Sequence, residues 1–300
     1  MIKKLLPLYQ NSIFFPNKPE NPSERYLYFC SESADEWIGI PKTELNEREL
    51  TLLKALYTLV EFPSSNLHPT VKAWHDFLFL NGPMPSHLAG NTLRIIQFNI
   101  NGSEASQPEI ESALKGFFTE EVIIIWVGES RGIVIEGRNT MSLSDEEILS
   151  MSETLESDFY VKVSFYIGKP SVLSEQLPGK FHLEKEYFTF ALSQLGLSNI
   201  FTFERVVPAY LAYYLPPELK IKVSQEIIEL FNEDQEMFST IRVFLENNLN
   251  ASMTAKKLYI HRNTLQYRID KFVEKTGISL KDFYGAFTVF LACLLYEQKK

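Results

Sequence analysis

The chain has 300 residues, of which 45% are hydrophobic, and a formal net charge of −9 at pH 7. This length and apolar content suit two or three globular domains of ordinary size. Cys30 and Cys293 lie far apart without metal-ligand spacing, the N-terminus lacks a signal-peptide pattern, and the longest apolar stretch, 284–296, is too short to cross a bilayer. We therefore expect a cytoplasmic protein without a disulfide framework, membrane partner, cofactor or metal.

Positive charge is concentrated in one short window. A net charge of −9 spread evenly would repel nucleic acid. Residues 251–275, however, carry six basic and two acidic side chains, or +4, which leaves −13 for the rest of the chain because −9 minus +4 is −13. The basic residues are Lys256, Lys257, Arg262, Arg268, Lys271 and Lys275. This window is the candidate surface for an acidic polymer.

The first 88 residues predict a small α+β domain of unknown role. Apolar spacing predicts strands at 26–30 and 37–40 and helices at about 46–60 and 69–80. The segment Asn81-Gly82-Pro83-Met84-Pro85 is rich in turn-forming residues and predicts a domain boundary.

Strands and helices alternate through a predicted middle domain, residues 89–215. Four strands are expected at 93–98, 122–127, 132–135 and 161–167. One helix follows Pro108 and another follows a capping box that begins at Ser144. This β-α-β-β-α-β order is typical of the ferredoxin-like or cyclase-palm fold, a four-stranded antiparallel sheet with helices on one face. A helix at about 183–195 and a strand at 199–203 extend it.

Residues 216–300 follow Pro216-Pro217 and predict an all-helical domain, so the fold class is multidomain α+β. A short helix at 251–258, a turn at 259–261 and a following helix have helix-turn-helix spacing. The small residue Ala255 lets the two helices cross closely. The second helix is expected to bury one stripe, formed by Leu265, Ile269 and Phe272.

The opposite side of this second helix is polar and starts at a helix N-terminus, where amide groups favour a phosphate. Asn263 and Gln266 are expected to read adenine and Arg262 to read guanine, while lysines hold phosphates. The predicted DNA-binding residues are Lys256, Lys257, His261, Arg262, Asn263, Thr264, Gln266, Tyr267, Arg268 and Lys271.

Some of these residues have a second interpretation. Arg262 and Arg268 project only about 60° from the buried stripe, so either could form an internal ion pair. His261 could cap the helix instead of contacting DNA. The apolar stripe of the last helix is interpreted first as part of the hydrophobic core. A weaker inference is that an exposed part of it pairs two subunits into a homodimer.

The string His261-Arg262-Asn263-Thr264-Leu265-Gln266-Tyr267-Arg268-Ile269, followed by Thr276-Gly277, resembles the C-terminal helix-turn-helix of the PucR/CdaR regulators, those of purine catabolism and sugar diacid use. The middle region, through Ile167-Gly168-Lys169-Pro170 and, loosely, 184–192, is similar to that family's degenerate GGDEF-like domain. The resemblance implies a sequence-specific transcriptional regulator that binds double-stranded DNA. Tyr259 departs from the family's preferred glycine.

The N-terminal region of this chain does not match the family's diacid-sensing domain, so no ligand is carried over. The N-terminal and middle domains are expected to sense a signal, which leaves a place for a small-molecule effector, or to mediate oligomerisation.

Two alternatives belong to other functional classes. A nucleotide-binding or cyclase-like enzyme would use residues 93–204, but its hairpin needs paired glycines and an acidic pair. The hairpin here, Trp126-Val127-Gly128-Glu129-Ser130-Arg131-Gly132, has neither, and we expect no enzymatic activity. The five histidines, at 68, 75, 87, 182 and 261, show no metal-ligand spacing. The second alternative is an adaptor whose helix-turn-helix no longer binds DNA.

Overall fold

The computed structural model describes residues 2–9, 11–19, 22–23, 25–31, 36–60, 68–85, 92–102, 105–119, 121–137, 142–196 and 198–298. The chain forms two compact units: unit 1 comprises 1–186 and 197–201, and unit 2 comprises 187–196 and 202–300. The predicted division into three domains, at 88 and 215, stays a prediction. None of the helices in the described residues has the length and apolar character needed to cross a bilayer.

Unit 1 begins with an antiparallel four-stranded sheet. Its strands, in the order β1-β3-β2-β4, are β1 (Ile13–Phe15), β3 (Trp37–Pro41), β2 (Tyr26–Cys30) and β4 (Thr58–Val60). Helix α1 (Glu47–Leu56) follows β3 and is capped by Asn46. Phe29, Ile38, Ile40 and Leu53 form the buried core of this sheet and helix.

The predicted helix at 46–60 is too long at its C-terminal end. The backbone of Tyr57 is extended, with φ −141° and ψ 155°, and the chain then continues as β4. Residues 58–60 pair with Tyr28–Cys30 of β2. The helical spacing of Val60 was misleading because β2, which is distant in sequence, pairs with this segment. Thr58 and Val60 are also residue types that favour strands.

The second sheet of unit 1 contains the predicted β-α-β-β-α-β order. Its elements are β5 (Thr92–Asn101), α3 (Gln107–Phe117), β6 (Ile123–Trp126), β7 (Arg131–Gly137), α4 (Asp145–Phe159), β8 (Lys162–Ile167), β9 (Ser171–Val172) and β10 (Ile200–Thr202). The strand order is β10-β8-β5-β7-β6, with β9 also on β5, and β8-β5-β7-β6 are antiparallel neighbours. This is the ferredoxin-like order.

Helices cover both faces of this sheet, which corrects the expectation of helices on one face. On one face, α3 and α4 bury Leu114 and Met151 against Phe98. On the other, α2 (Pro69–Leu80) and the start of α5 (Leu177–Gln194) bury Trp74 and Phe181. Strand β5 places apolar residues on both faces, Ile95 on one and Phe98 on the other, so both faces need cover.

Unit 2 is built from helices. After the end of α5 come α6 (Phe203–Tyr214), α7 (Pro217–Glu233), α8 (Gln235–Glu246), α9 (Ala251–Lys257), α10 (Arg262–Thr276) and α11 (Phe283–Glu297). The rings of Phe231, Phe272 and Tyr296 meet in its core, where the Tyr296 hydroxyl donates to the Phe231 carbonyl at 3.1 Å. Burial raises the pKa of the Cys293 thiol to about 12, so this cysteine is a core residue and not a reactive one.

Candidate DNA-binding site

Helices α8, α9 and α10 hold the candidate site. The Asn250 side chain caps α9 by accepting from the amides of Ser252 and Met253, at 3.1 Å each. Ala255 is buried near the C-terminal end of α9. The inner side of α10 buries Leu265, Ile269 and Phe272, as the periodicity predicted. Helix α10 is therefore held by its apolar side, and its opposite side faces solvent.

The turn between α9 and α10 closes with a left-handed residue. Tyr259 has φ 55°, and the next amide, of Ile260, donates to the Ala255 carbonyl at 3.0 Å. This bond spanning the end of the helix is the Schellman arrangement, which most often uses glycine at the left-handed position. A tyrosine therefore forms the same turn that glycine would.

His261 is the N-cap of α10. Its Nδ1 accepts a hydrogen bond from the Asn263 amide at 3.2 Å, and its backbone is extended, as a cap requires. Of the two interpretations of this residue, the structure shows the cap.

Arg268 joins α10 to α8. Its Nη2 lies 2.5 Å from a Glu236 carboxylate oxygen, and its Nη1 donates to the Thr240 hydroxyl at 3.0 Å. The side chain of Arg268 is 24% exposed. The internal ion pair is thus the arrangement that Arg268 adopts. Arg262, the first residue of α10, is exposed.

The exposed side of α10 is concentrated at its N-terminal end. Five of the predicted contact residues are exposed there: Arg262, Asn263, Thr264, Gln266 and Tyr267. The last turn of α9 adds the exposed Lys256 and Lys257. The Gln266 amide donates to Asp270 Oδ1 at 2.8 Å, so one of its N–H groups is used within α10.

Further along α10, the cations are paired with acidic residues of the preceding helices. Lys271 Nζ lies 3.5 Å from Asp234 Oδ2, and Lys275 Nζ lies 3.9 Å from Glu233. The Met237 amide, donating at 2.9 Å, lowers the pKa of Asp234, and Lys271 and Arg268 lower it further. Asp234 is therefore anionic at neutral pH and offsets the charge of Lys271. Within α10, the exposed polar side chains of the first two turns are thus separate from these paired cations.

Residues 237–295 match the family model described as the PucR C-terminal helix-turn-helix domain. Over 301 residues, which is 100% of both chains, the protein is 35% identical to the uncharacterized protein YxkF of Bacillus subtilis (strain 168). The chain belongs to the PucR/CdaR family of transcriptional regulators. The predicted resemblance is thereby confirmed for the helix-turn-helix.

Two relatives that are named as regulators match part of the chain. The purine catabolism regulatory protein of Bacillus subtilis (strain 168) is 28% identical over 165 residues, 50% of this chain and 30% of the relative. The proline-responsive transcriptional activator PutR of the same organism is 27% identical over 236 residues, 63% of this chain and 56% of the relative. One name refers to purine catabolism and the other to proline, so the names do not identify a signal for this chain.

The segment that resembles the family's middle domain has a steric reason for its glycine. A Cβ on Gly168 would lie 2.4 Å from the Ile95 carbonyl and 2.5 Å from a Glu184 carboxylate oxygen. The next amide, of Lys169, donates to Glu184 at 3.0 Å, while burial raises the pKa of Glu184. Close packing of the strand end on α5 therefore requires glycine. The GGDEF-like assignment itself stays a prediction.

The hairpin loop between β6 and β7 is tied to α3. The Gln107 side chain donates to the carbonyls of Gly128 and Glu129, at 2.8 and 3.1 Å. In the described residues, no group of three or more His, Cys, Asp or Glu side chains is placed to hold a metal ion, and His87 lies outside those residues. The segment between Trp126 and Arg131 is the loop that joins the antiparallel strands β6 and β7.

The acidic partners on α7 and α8 were missed by the sequence reasoning. Asp234 and Glu236 lie well before the recognised string, and their roles depend on how α8 packs on α10. An aspartate at a helix N-cap position, directly before the apolar stripe of α8, was the available signal for Asp234.

Proposed function

We propose that this protein regulates transcription by binding double-stranded DNA at specific sequences through the N-terminal half of α10. The observation that carries the proposal is the arrangement of α10, in which exposed polar side chains occupy the first two turns and the later cations are paired. A PucR-type helix-turn-helix then presents one end of a helix, with its amide groups and dipole, to a major groove.

The proposed roles follow from side-chain chemistry. Asn263 and Gln266 each offer a donor and an acceptor, which suits adenine, and Arg262 suits guanine. Lys256 and Lys257 hold phosphates without reading sequence.

The other predicted residues divide by their surroundings. Thr264 and Tyr267 lie on the exposed surface and are proposed as supporting contacts. Lys271 can reach a phosphate only by leaving Asp234. We propose that His261 and Arg268 act on the geometry of α10 and not on DNA directly.

Fluorescence anisotropy of the full-length protein with labelled genomic fragments, including its own promoter, tests the proposal. We expect saturable binding that differs between fragments and weakens linearly on a log-log plot as salt rises, because phosphate contacts release counterions. No binding at low salt, or binding insensitive to salt, would contradict the proposal.

Asn263→Ala is the first variant to compare. Loss of a bidentate base contact should cost about 1–3 kcal/mol at the preferred fragment, with the fold unchanged because Asn263 is exposed. Gln225→Ala is the matched control, since it removes an exposed amide from α7 of the same unit. Equal affinity of Asn263→Ala and the unchanged protein would count against this placement of α10.

A homodimer is part of the proposal. At the start of α11, Phe283, Tyr284 and Phe287 are 74%, 76% and 57% exposed, and the rings of Phe283 and Phe287 stack with centroids 6.2 Å apart. We propose that this exposed aromatic surface, with the opposite charges of Lys281 and Asp282 beside it, pairs with a second copy of itself across a two-fold axis. Two copies would read two half-sites.

Unit 1 is proposed to receive the signal, with a small-molecule effector as one form of it, and to have no catalytic role. The motivation is that the β6–β7 loop carbonyls accept from Gln107 and that the named relatives are regulators. Incubation with GTP and Mg²⁺ should leave the nucleotide unchanged. Product formation that disappears on changing Glu129 would favour the enzyme alternative. We place the protein in the cytoplasm with its DNA.

A further inference from the structure

Tyr259 combines a strained backbone with an exposed side chain. Its φ of 55° lies in the left-handed region, where the Cβ of an L-residue approaches the following carbonyl oxygen and glycine is preferred. Its side chain is 96% exposed. The protein therefore retains a tyrosine where glycine would fit the backbone better.

The tyrosine side chain contributes little to the stability of this turn. The turn is closed by main-chain bonds, from the Tyr259 amide to the Lys256 carbonyl at 3.2 Å and from the Ile260 amide to the Ala255 carbonyl at 3.0 Å. Glycine would form both. At 96% exposure, the ring has little contact with the described part of the chain. Tyr160 has the same φ of 55°, so the surroundings of Tyr259, and not its backbone alone, indicate its role.

The surroundings of Tyr259 indicate what its exposed side chain can contact. The residue lies between the exposed lysines that end α9, Lys256 and Lys257, and the exposed start of α10 at Arg262. A phenol hydroxyl is a neutral donor on a rigid ring, and tyrosine is among the side chains that bond DNA phosphates.

We propose that Tyr259 is a DNA-backbone contact, in which its hydroxyl donates a hydrogen bond to a phosphate beside those held by Lys256 and Lys257. This inference rests on the proposed DNA binding.

The chain supplies a matched control for the strain. Tyr160 ends α4 in unit 1 with the same φ of 55° and is 79% exposed. Changing either tyrosine to glycine relieves the same backbone conformation, but only Tyr259 lies in the helix-turn-helix.

The test uses full-length Tyr259→Gly, Tyr259→Phe and Tyr160→Gly proteins. The thermal midpoint of unfolding and the affinity for the most tightly bound fragment are measured at one salt concentration. Both glycine variants should unfold at a higher temperature. Tyr259→Gly and Tyr259→Phe should bind DNA about 5- to 10-fold more weakly, on specific and unrelated fragments alike, because a backbone contact carries no sequence information. Tyr160→Gly should bind as the unchanged protein does.

Salt dependence separates this contact from a cationic one. The slope of log affinity against log salt should stay the same in Tyr259→Phe, because a neutral donor releases no counterion, and should fall by about 1 in Lys256→Ala. If the unchanged protein binds DNA and Tyr259→Phe binds equally well, this inference alone is overturned. If the unchanged protein does not bind, the proposed function is overturned with it.

Discussion

Arg268 shows how a residue in the most recognisable part of a binding motif can serve the fold. Its guanidinium contacts Glu236 and Thr240 on α8, which lie 32 and 28 residues earlier in the chain. Arg262, six residues before it on α10, is exposed. The two arginines therefore have different expected effects on stability and on DNA affinity.

We expect Arg268→Met to lower the free energy of unfolding by about 1 kcal/mol and to leave the DNA affinity of the folded protein nearly unchanged. The estimate is small because the Glu236 side chain is 77% exposed and the ion pair is screened by solvent. Arg262→Met should lower the DNA affinity and leave the free energy of unfolding nearly unchanged. Urea unfolding followed by circular dichroism, together with anisotropy titrations, measures both quantities. An affinity loss in Arg268→Met without a stability loss would identify Arg268 as a DNA contact.

At the scale of elements, α8 positions the DNA-binding helix through Asp234. This residue caps α8 by accepting from the Met237 amide and also lies 3.5 Å from Lys271 on α10. The Met237 amide is the main reason that the pKa of Asp234 is lowered, and Lys271 and Arg268 add to it. The start of one helix and the face of another thus depend on one carboxylate.

The contribution of Asp234 to stability should depend on pH. A carboxyl whose pKa is lower in the folded protein contributes fully above its ordinary pKa of 3.8, and the contribution disappears as pH falls through the lowered value. Asparagine keeps the cap but loses the charge. We therefore expect Asp234→Asn to unfold at a lower urea concentration than the unchanged protein at pH 7, with the difference shrinking near pH 3. An equal difference at both pH values would contradict this account.

At the scale of the whole molecule, the acidic chain has its net-positive window, residues 251–275, in the helical unit. The same unit carries the aromatic cluster at the start of α11, proposed above as the contact between two copies. If two copies are needed to hold two half-sites, weakening that contact should weaken DNA binding without touching α10.

Replacing Phe283 and Phe287 together by serine tests this. Because both rings are mostly exposed, the fold should survive while sedimentation velocity shows the mass falling from two copies to one. Leu219→Ser is the control, since Leu219 is 45% exposed on α7 of the same unit, and its mass should not change. A single-copy mass for the unchanged protein, or two copies for the double variant, would exclude this interface.

The sequence by itself determined the features whose signals are local. The buried stripe Leu265, Ile269 and Phe272 repeats with the helical period, and the ferredoxin-like strands stand out as apolar runs between turn residues. The family string likewise identified the helix-turn-helix without any tertiary information.

Only the tertiary structure decided the features that depend on distant partners. Helix α1 ends early because β4 pairs with β2. Helices α2 and α5 cover the second face of the β5–β10 sheet, although most of its strands lie between the two helices in sequence. Arg268 turns inward because α8 presents Glu236 to it. In each case, the local sequence allowed more than one arrangement, and a partner many residues away selected one.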